Sequence, residues 1–311
     1  MKVKLKNLIF AVFIVLLITS TSWAMRLVEP EWLKERLHDK NIRVVDVQAK
    51  HEDYDKEHIP GAVRVKRYID LSDITADPPF LYPTKEQFEK LMSKLGITKD
   101  TIIVAYDNKE GLFATRLLLI AEYYGHDPNK LALLNGGLTR WKALGFPTSK
   151  EPIEVKPTKY VVTKVRDDLR VRWWDVYRDV VMGENPNVIL LDARPADEYT
   201  GKKIRSIRGG HIPGAINVTG TDANKKEDYT FKPIDEIRKM YEAKGVTPDK
   251  TIYVYCHSGD RLAHAYFTLK YLLGYKNVKF YDGAWIEWST ILSLPVENEV
   301  WRWEVPKGDK K

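Results

Sequence analysis

Thr251-Ile252-Tyr253-Val254-Tyr255-Cys256-His257-Ser258-Gly259-Asp260-Arg261-Leu262 decides how this chain folds and where its chemistry lies. The β-branched and aromatic residues 251–255 read as a buried strand, and the polar residues 257–261 as a short loop. Leu262, Tyr266, Leu269 and Leu273 then fall three or four apart on one helical face, which Gly274 closes. Cys256, the only cysteine among 311 residues, therefore stands between a strand's carboxyl end and a helix N-terminus. Unpaired N–H groups and the positive end of the helix dipole favour a thiolate there. The alternative is a cysteine packed as a small hydrophobe. Its neighbours argue against that: a histidine, a serine, a glycine and a cation suit an anion cradle better than a core.

The same order of features occurs twice. His58-Ile59-Pro60-Gly61-Ala62 returns as His211-Ile212-Pro213-Gly214-Ala215 at an offset of 153. Thr101-Ile102 through Val104 returns at an offset of 150, and Asn135-Gly136-Gly137 through Trp141 matches Asp282-Gly283-Ala284 through Trp288 at 147. A drifting offset is the mark of a duplicated domain with loop insertions and deletions. Each copy alternates short apolar runs with helical patterns, which predicts an α/β fold: two tandem domains, each a mainly parallel sheet flanked by helices. The boundaries read as a first domain over 25–149, a linker over 150–170, a second domain over 171–306 and a tail over 307–311. Ligands in this class bind beyond the carboxyl ends of the strands, where Cys256 falls. Counting back from Gly125 and Gly274, the position matching Cys256 in the first copy is Asp107, beside Tyr106, and neither is a sulfur nucleophile. The first copy is therefore expected to be catalytically silent, to pack against the second and to wall one side of the cleft. The His58 and His211 strings occur in both copies, so their expected job is a turn and packing.

Residues 1–24 carry Lys2, Lys4 and Lys6, an apolar run from Leu8 to Ile18 and a small-residue end at Ala24. This reads as a secretory signal peptide, too short for the roughly 20 residues of a membrane span. The expectation is a periplasmic or secreted protein with no membrane attachment after cleavage. A single cysteine cannot form an internal disulfide, and an exposed thiol in an oxidising compartment calls for a reason such as reactivity. The formal charge is +7, three units of which leave with the leader, and the remaining charges are well mixed. That is a solvated surface and no nucleic-acid footprint. The histidines form no metal pattern, and no cofactor is implied.

Together, Leu191-Asp192-Ala193-Arg194, Glu198-Tyr199, Gly210 through Ala215, the Cys256 loop and Tyr281-Asp282-Gly283 with Trp285 and Trp288 resemble the rhodanese family of sulfurtransferases in its tandem form. The resemblance implies a Cys256 thiolate that takes the outer sulfur of thiosulfate, expels sulfite, and passes the sulfur from a persulfide to cyanide or a thiol, with a protein acceptor also open. Inward N–H groups of loop 257–261, Gly259 among them, would stabilise the anions. Arg194 resembles a family arginine that binds the donor, and Arg261 is the candidate for holding the loop or the donor's oxyanion. For each the alternative is a salt bridge to Asp192 or Asp260. His257 and Ser258 are further candidate donor contacts, with a solvent-facing role open for His257. Asp260 is expected to turn outward or to pair with Arg261, and Trp285 to belong to the core more than to the cleft mouth.

A cysteine phosphatase is the nearest rival outside the family, but its loop has five residues between Cys and Arg, and four stand between Cys256 and Arg261. A mercaptopyruvate donor would want an arginine where Glu198 stands. A non-catalytic persulfide carrier needs the same loop as the enzyme and stays open.

Overall fold

The computed structural model describes residues 25–48, 50 and 52–302. The leader and the 307–311 tail lie outside them. The first sheet contains β1 (Arg26–Val28), β2 (Ile42–Gln48), β3 (Val63–Lys66), β4 (Ile102–Tyr106) and β5 (Leu131–Leu134). The second contains β6 (Arg170–Val171), β7 (Val188–Asp192), β8 (Ile216–Asn217), β9 (Thr251–Tyr255) and β10 (Val278–Tyr281). Every pairing is parallel, and the orders β1-β5-β4-β2-β3 and β6-β10-β9-β7-β8 are the same order twice. The α/β class and the tandem parallel sheets are thus as the sequence predicts. In each sheet successive connections leave in opposite directions between β2 and β4, or between β7 and β9. That topological switch point opens a crevice beyond the strand ends, and Cys256 directly follows β9.

The helices that follow the two equivalent strands join the halves. All residues of Leu112–Tyr123 are buried, as an almost wholly apolar sequence demands. This helix packs on Asp260–Phe267, and one apolar core runs through both halves, with Leu117, Leu118 and Phe113 beside Ala263, Tyr266 and Leu269. At the seam the Glu122 carboxylate accepts from Tyr266 Oη at 3.2 Å and Lys270 Nζ at 2.7 Å. Leu262, Tyr266, Leu269 and Leu273 are all buried, so the apolar face read from their spacing is the face that packs.

The repeated strings have the structural job expected of them. His58 stacks on Tyr54 at 3.8 Å and His211 on Tyr199 at 3.7 Å, each with Nδ1 2.8 Å from that tyrosine's carbonyl. The next residue ties each string to the sheet: Ile59 N–H donates to Tyr106 Oη, and Ile212 N–H to Tyr255 Oη. Each tyrosine in turn donates at 2.6 Å to a buried carboxyl, Asp46 or Asp192.

The two carboxyls differ in counter-charge. Asp192 has Arg194 two residues on; the first copy has the uncharged Gln48 there. Burial raises the Asp46 carboxyl to about 7, against about 3.9 in an unfolded chain. Between those values the folded state keeps a proton that the unfolded state has released. The group's stabilising contribution is therefore full below the window, declines as pH rises through it, and is lost above about pH 7. Asp46→Asn is expected to reduce the fall in unfolding free energy between about pH 5 and about pH 8 by a few kcal/mol. Urea melts of both proteins at the two pH values measure it, and parallel pH profiles would place the proton elsewhere.

Candidate active site

Cys256 is only 1% exposed, yet it forms the floor of a cleft of about 220 Å³ between the halves. The second domain contributes Arg205, Ser258, Asp260 and Arg261, and the first contributes Tyr68, Lys109, Leu112 and Phe113. The expected wall from the silent copy is therefore present. One side of the cleft is cationic and the other largely apolar.

The loop is held from behind and from the front. Behind it, the start of helix Ala284–Thr290 donates Trp285 N–H to the Cys256 carbonyl at 2.9 Å and Ile286 N–H to the His257 carbonyl at 3.1 Å. Trp285 itself is core, its ring buried and its Nε1 on the Arg208 carbonyl at 3.2 Å. In front, Gly259 N–H points at Cys256 Sγ at 3.2 Å, with Gly259 at φ +106°, a backbone conformation that favours glycine.

Arg261 and Glu198 form a fork: Nη1 to Oε1 at 2.9 Å and Nη2 to Oε2 at 3.2 Å, with Arg205 Nη1 also on Oε1 at 3.1 Å. Against the upward push of burial, these guanidiniums hold the Glu198 carboxyl below its ordinary range. The fork fixes the two cations that the second domain turns to the cleft. Arg261 thus lines the cleft, with Glu198 and neither of the two expected aspartates as its partner. Ser258 also lines it, but its carbonyl faces away, toward arginines of the first domain.

Three expectations are corrected. Arg194 does not line the cleft and takes the alternative given for it, a salt bridge to Asp192: it is 1% exposed, gripped by Asp192 through Nε and Nη2, bonded to the Gly210 carbonyl at 2.8 Å, and stacked over Trp285 at 4.6 Å. Arg194 supplies the buried Asp192 with the counter-charge that Asp46, with Gln48 in the matching position, lacks. His257 is 8% exposed and does not line the cleft. Burial, with Arg205 nearby, pushes its imidazole down to about 4, so it is neutral at neutral pH and offers no positive charge to an anion. Asp260 neither turns outward nor pairs with Arg261: its carboxylate binds Arg67 of the first domain through Nε and, at 2.8 Å, through Nη2.

Two features escaped the sequence reading. Arg205 lies in the charged run Lys202 to Arg208, which reads as solvated surface. Arg67 and Arg116 come from the other domain. Arg116 left a visible signal, the one cation inside a mostly apolar helix.

The first copy shows the same loop without sulfur. Asp107 takes the place of Cys256, and its carboxylate accepts from the N–H groups of Lys109, Gly111, Phe113 and Ala114 at 2.7–3.0 Å. In the first half the loop is a nest of four N–H groups filled by the chain's own carboxyl; in the second the Gly259 N–H is directed at a thiol. Among the described residues no cluster of three metal-binding side chains occurs.

A parallel α/β tandem with a thiol in one anion nest defines a class of proteins that handle sulfur or oxyanions through cysteine. Comparison with known proteins narrows it. The Rhodanese-like domain model matches residues 29–144 and 181–291, and the chain belongs to that family. It is 36% identical over 279 residues to the sulfur carrier protein TtuD of Thermus thermophilus, covering 87% of this chain and 95% of the relative. It is 34% identical over 280 residues to the Mycobacterium bovis protein named "Putative thiosulfate sulfurtransferase 1", covering 87% and 97%. Among solved structures, EanB in complex with ergothioneine superposes with a TM-score of 0.78 at 25% identity, over 88% of this chain and 70% of that one. The anaerobic ergothioneine biosynthesis enzyme of Chlorobium limicola with trimethyl histidine gives 0.77 at 26%, over the same shares. The protein is a rhodanese-family sulfurtransferase or sulfur carrier.

Arg194→Gln tests the corrected role. It leaves the Asp192 charge buried without its partner and is expected to cost about 3–5 kcal/mol of stability. The surviving folded enzyme should keep its apparent donor requirement. Chemical denaturation and initial-rate kinetics measure the two, and a raised donor requirement at unchanged stability would restore a binding role.

Proposed function

We propose that the chain is a thiosulfate sulfurtransferase working through a Cys256 persulfide. The observation that carries the reading is the thiol in a cleft lined by Arg205, Arg261 and Lys109, with the Gly259 N–H aimed at its sulfur. In the first displacement the thiolate attacks the outer sulfur of thiosulfate, a Cys–S bond forms, and the S–S bond breaks with its electron pair leaving on sulfite. In the second, a nucleophile attacks the outer sulfur of the persulfide and the thiolate returns. Arg205 and Arg261 meet the charge of donor and leaving sulfite, and the Gly259 N–H meets the sulfur anion.

Glu198 supports thiosulfate over mercaptopyruvate. Its carboxylate stands where a carboxylate-bearing donor would want a cation, and it already holds both guanidiniums. The cleft is roomy for an inorganic anion, and the Tyr68, Leu112 and Phe113 wall favours an organic thiol as acceptor beside cyanide. The leader read in residues 1–24 supports action outside the cytoplasm.

Release of persulfide to a protein is the second reading, supported by the exposed Ile69 and Ile204 next to the cleft residues Tyr68 and Arg205. Thiocyanate formation from thiosulfate and cyanide, run beside mercaptopyruvate and with Cys256→Ser, tests these readings. The parent is expected to turn over thiosulfate faster and the serine variant not at all. Faster turnover with mercaptopyruvate reverses the donor, activity in the serine variant removes the nucleophile, and a persulfide that forms but discharges to no small acceptor favours the carrier.

A further inference from the structure

We propose that Arg116, which belongs to the domain without the thiol, is a positioning residue for sulfur transfer at Cys256. It acts by fixing the orientation of the Ser258–Gly259 peptide. The inference rests on the reading of Cys256 as the sulfur-carrying nucleophile.

One peptide plane links Arg116 to the sulfur. In a trans peptide the carbonyl and the N–H point in opposite directions. The Ser258 carbonyl accepts from Arg116 Nη1 at 2.8 Å and from Arg67 Nη2 at 3.3 Å. The N–H of the same plane, that of Gly259, lies 3.2 Å from Cys256 Sγ. Rotation of this plane toward the alternative turn would aim a carbonyl dipole at the sulfur and remove the donor. The two guanidiniums oppose that rotation, because it would leave a buried cation without its acceptor.

Arg116 is well placed to hold a fixed geometry. It is fully buried, and its other donors are taken by the carbonyls of Leu71 and Phe80 at 2.9 Å each, with the guanidinium over the Tyr82 ring at 4.7 Å. The fit at Gly259 is close: a Cβ built there would lie 1.8 Å from Arg116 Nη1. The guanidinium therefore occupies the side-chain space of position 259. The absent side chain serves the left-handed turn and also admits a cation from the opposite domain. Arg116 touches neither donor nor sulfur, since it does not line the cleft, so its effect falls on the reacting state more than on donor binding.

The test is a single-turnover measurement of persulfide formation with thiosulfate, followed by mass spectrometry, on the full chain and on Arg116→Ala and Arg116→Lys. The alanine variant is expected to form persulfide roughly ten- to hundred-fold more slowly at saturating donor, with the half-saturating thiosulfate concentration changed less than about two-fold. The lysine variant, which keeps a cation but not the fork, should recover part of the rate. Val104→Ala, a cavity in the first domain's other core, provides a destabilised control with an intact loop. It should melt earlier yet transfer sulfur at the parental rate.

If Arg116→Ala does not accumulate as folded protein, the lysine variant alone decides. An unchanged rate in it, or an equal loss in Val104→Ala, overturns the proposal. So does a loss expressed wholly in donor half-saturation. Failure of the parent itself to take up sulfur would sink the proposed function instead, so the two failures are distinguishable.

Discussion

A side-chain acceptor buried beyond the carboxyl end of a central strand has to be met by inward-facing N–H groups, and both halves of this chain meet that demand. In the first half the demand is closed permanently: the Asp107 carboxylate is part of the chain and takes four backbone donors. In the second, Cys256 brings one sulfur, which meets the Gly259 N–H at 3.2 Å. The two copies thus differ in what stands at one position of the loop, a carboxyl in one and a thiol in the other.

Opening the nest has a cost, since a loop that is not filled by its own side chain is less constrained from within. The constraint comes from outside. Arg67 and Arg116 reach across the seam to the Ser258 carbonyl and the Asp260 carboxylate, while helix Ala284–Thr290 holds the carbonyls of Cys256 and His257 from behind. The Arg67–Asp260 pair is buried on the Arg67 side and reaches the cleft on the Asp260 side. The half without the thiol is therefore the splint of the half that has it.

Much of this was legible in the sequence because it is local. Strand, loop and helix around Cys256 follow from spacing, and the duplication follows from ordered strings such as His58 and His211. The silent position at Asp107 follows from counting back from two glycines. What was not legible depends on partners far apart in the chain. Arg194 and Arg261 look alike as cations at strand and loop ends, yet one neutralises Asp192 and the other faces the cleft with Glu198. Asp260 looks like a misplaced charge until Arg67, 193 residues earlier, is placed against it. No periodicity carries that information, because it arises only when the two domains close on each other.

One irregularity ties loop and helix together. From Asp107 to Gly125 and from Cys256 to Gly274 the chain runs the same number of residues, although the glycine that begins the helix comes at Gly111 in one half and a residue sooner, at Gly259, in the other. The missing residue reappears as the π turn Thr268–Leu272 at the far end of the second helix. Aligned at constant register, the halves would pair Gly111 with Asp260 and conceal the kinship of the two glycines. A wide turn about three helical turns away thus absorbs the length change that tightened the thiol's ring, and the strands on either side stay in step.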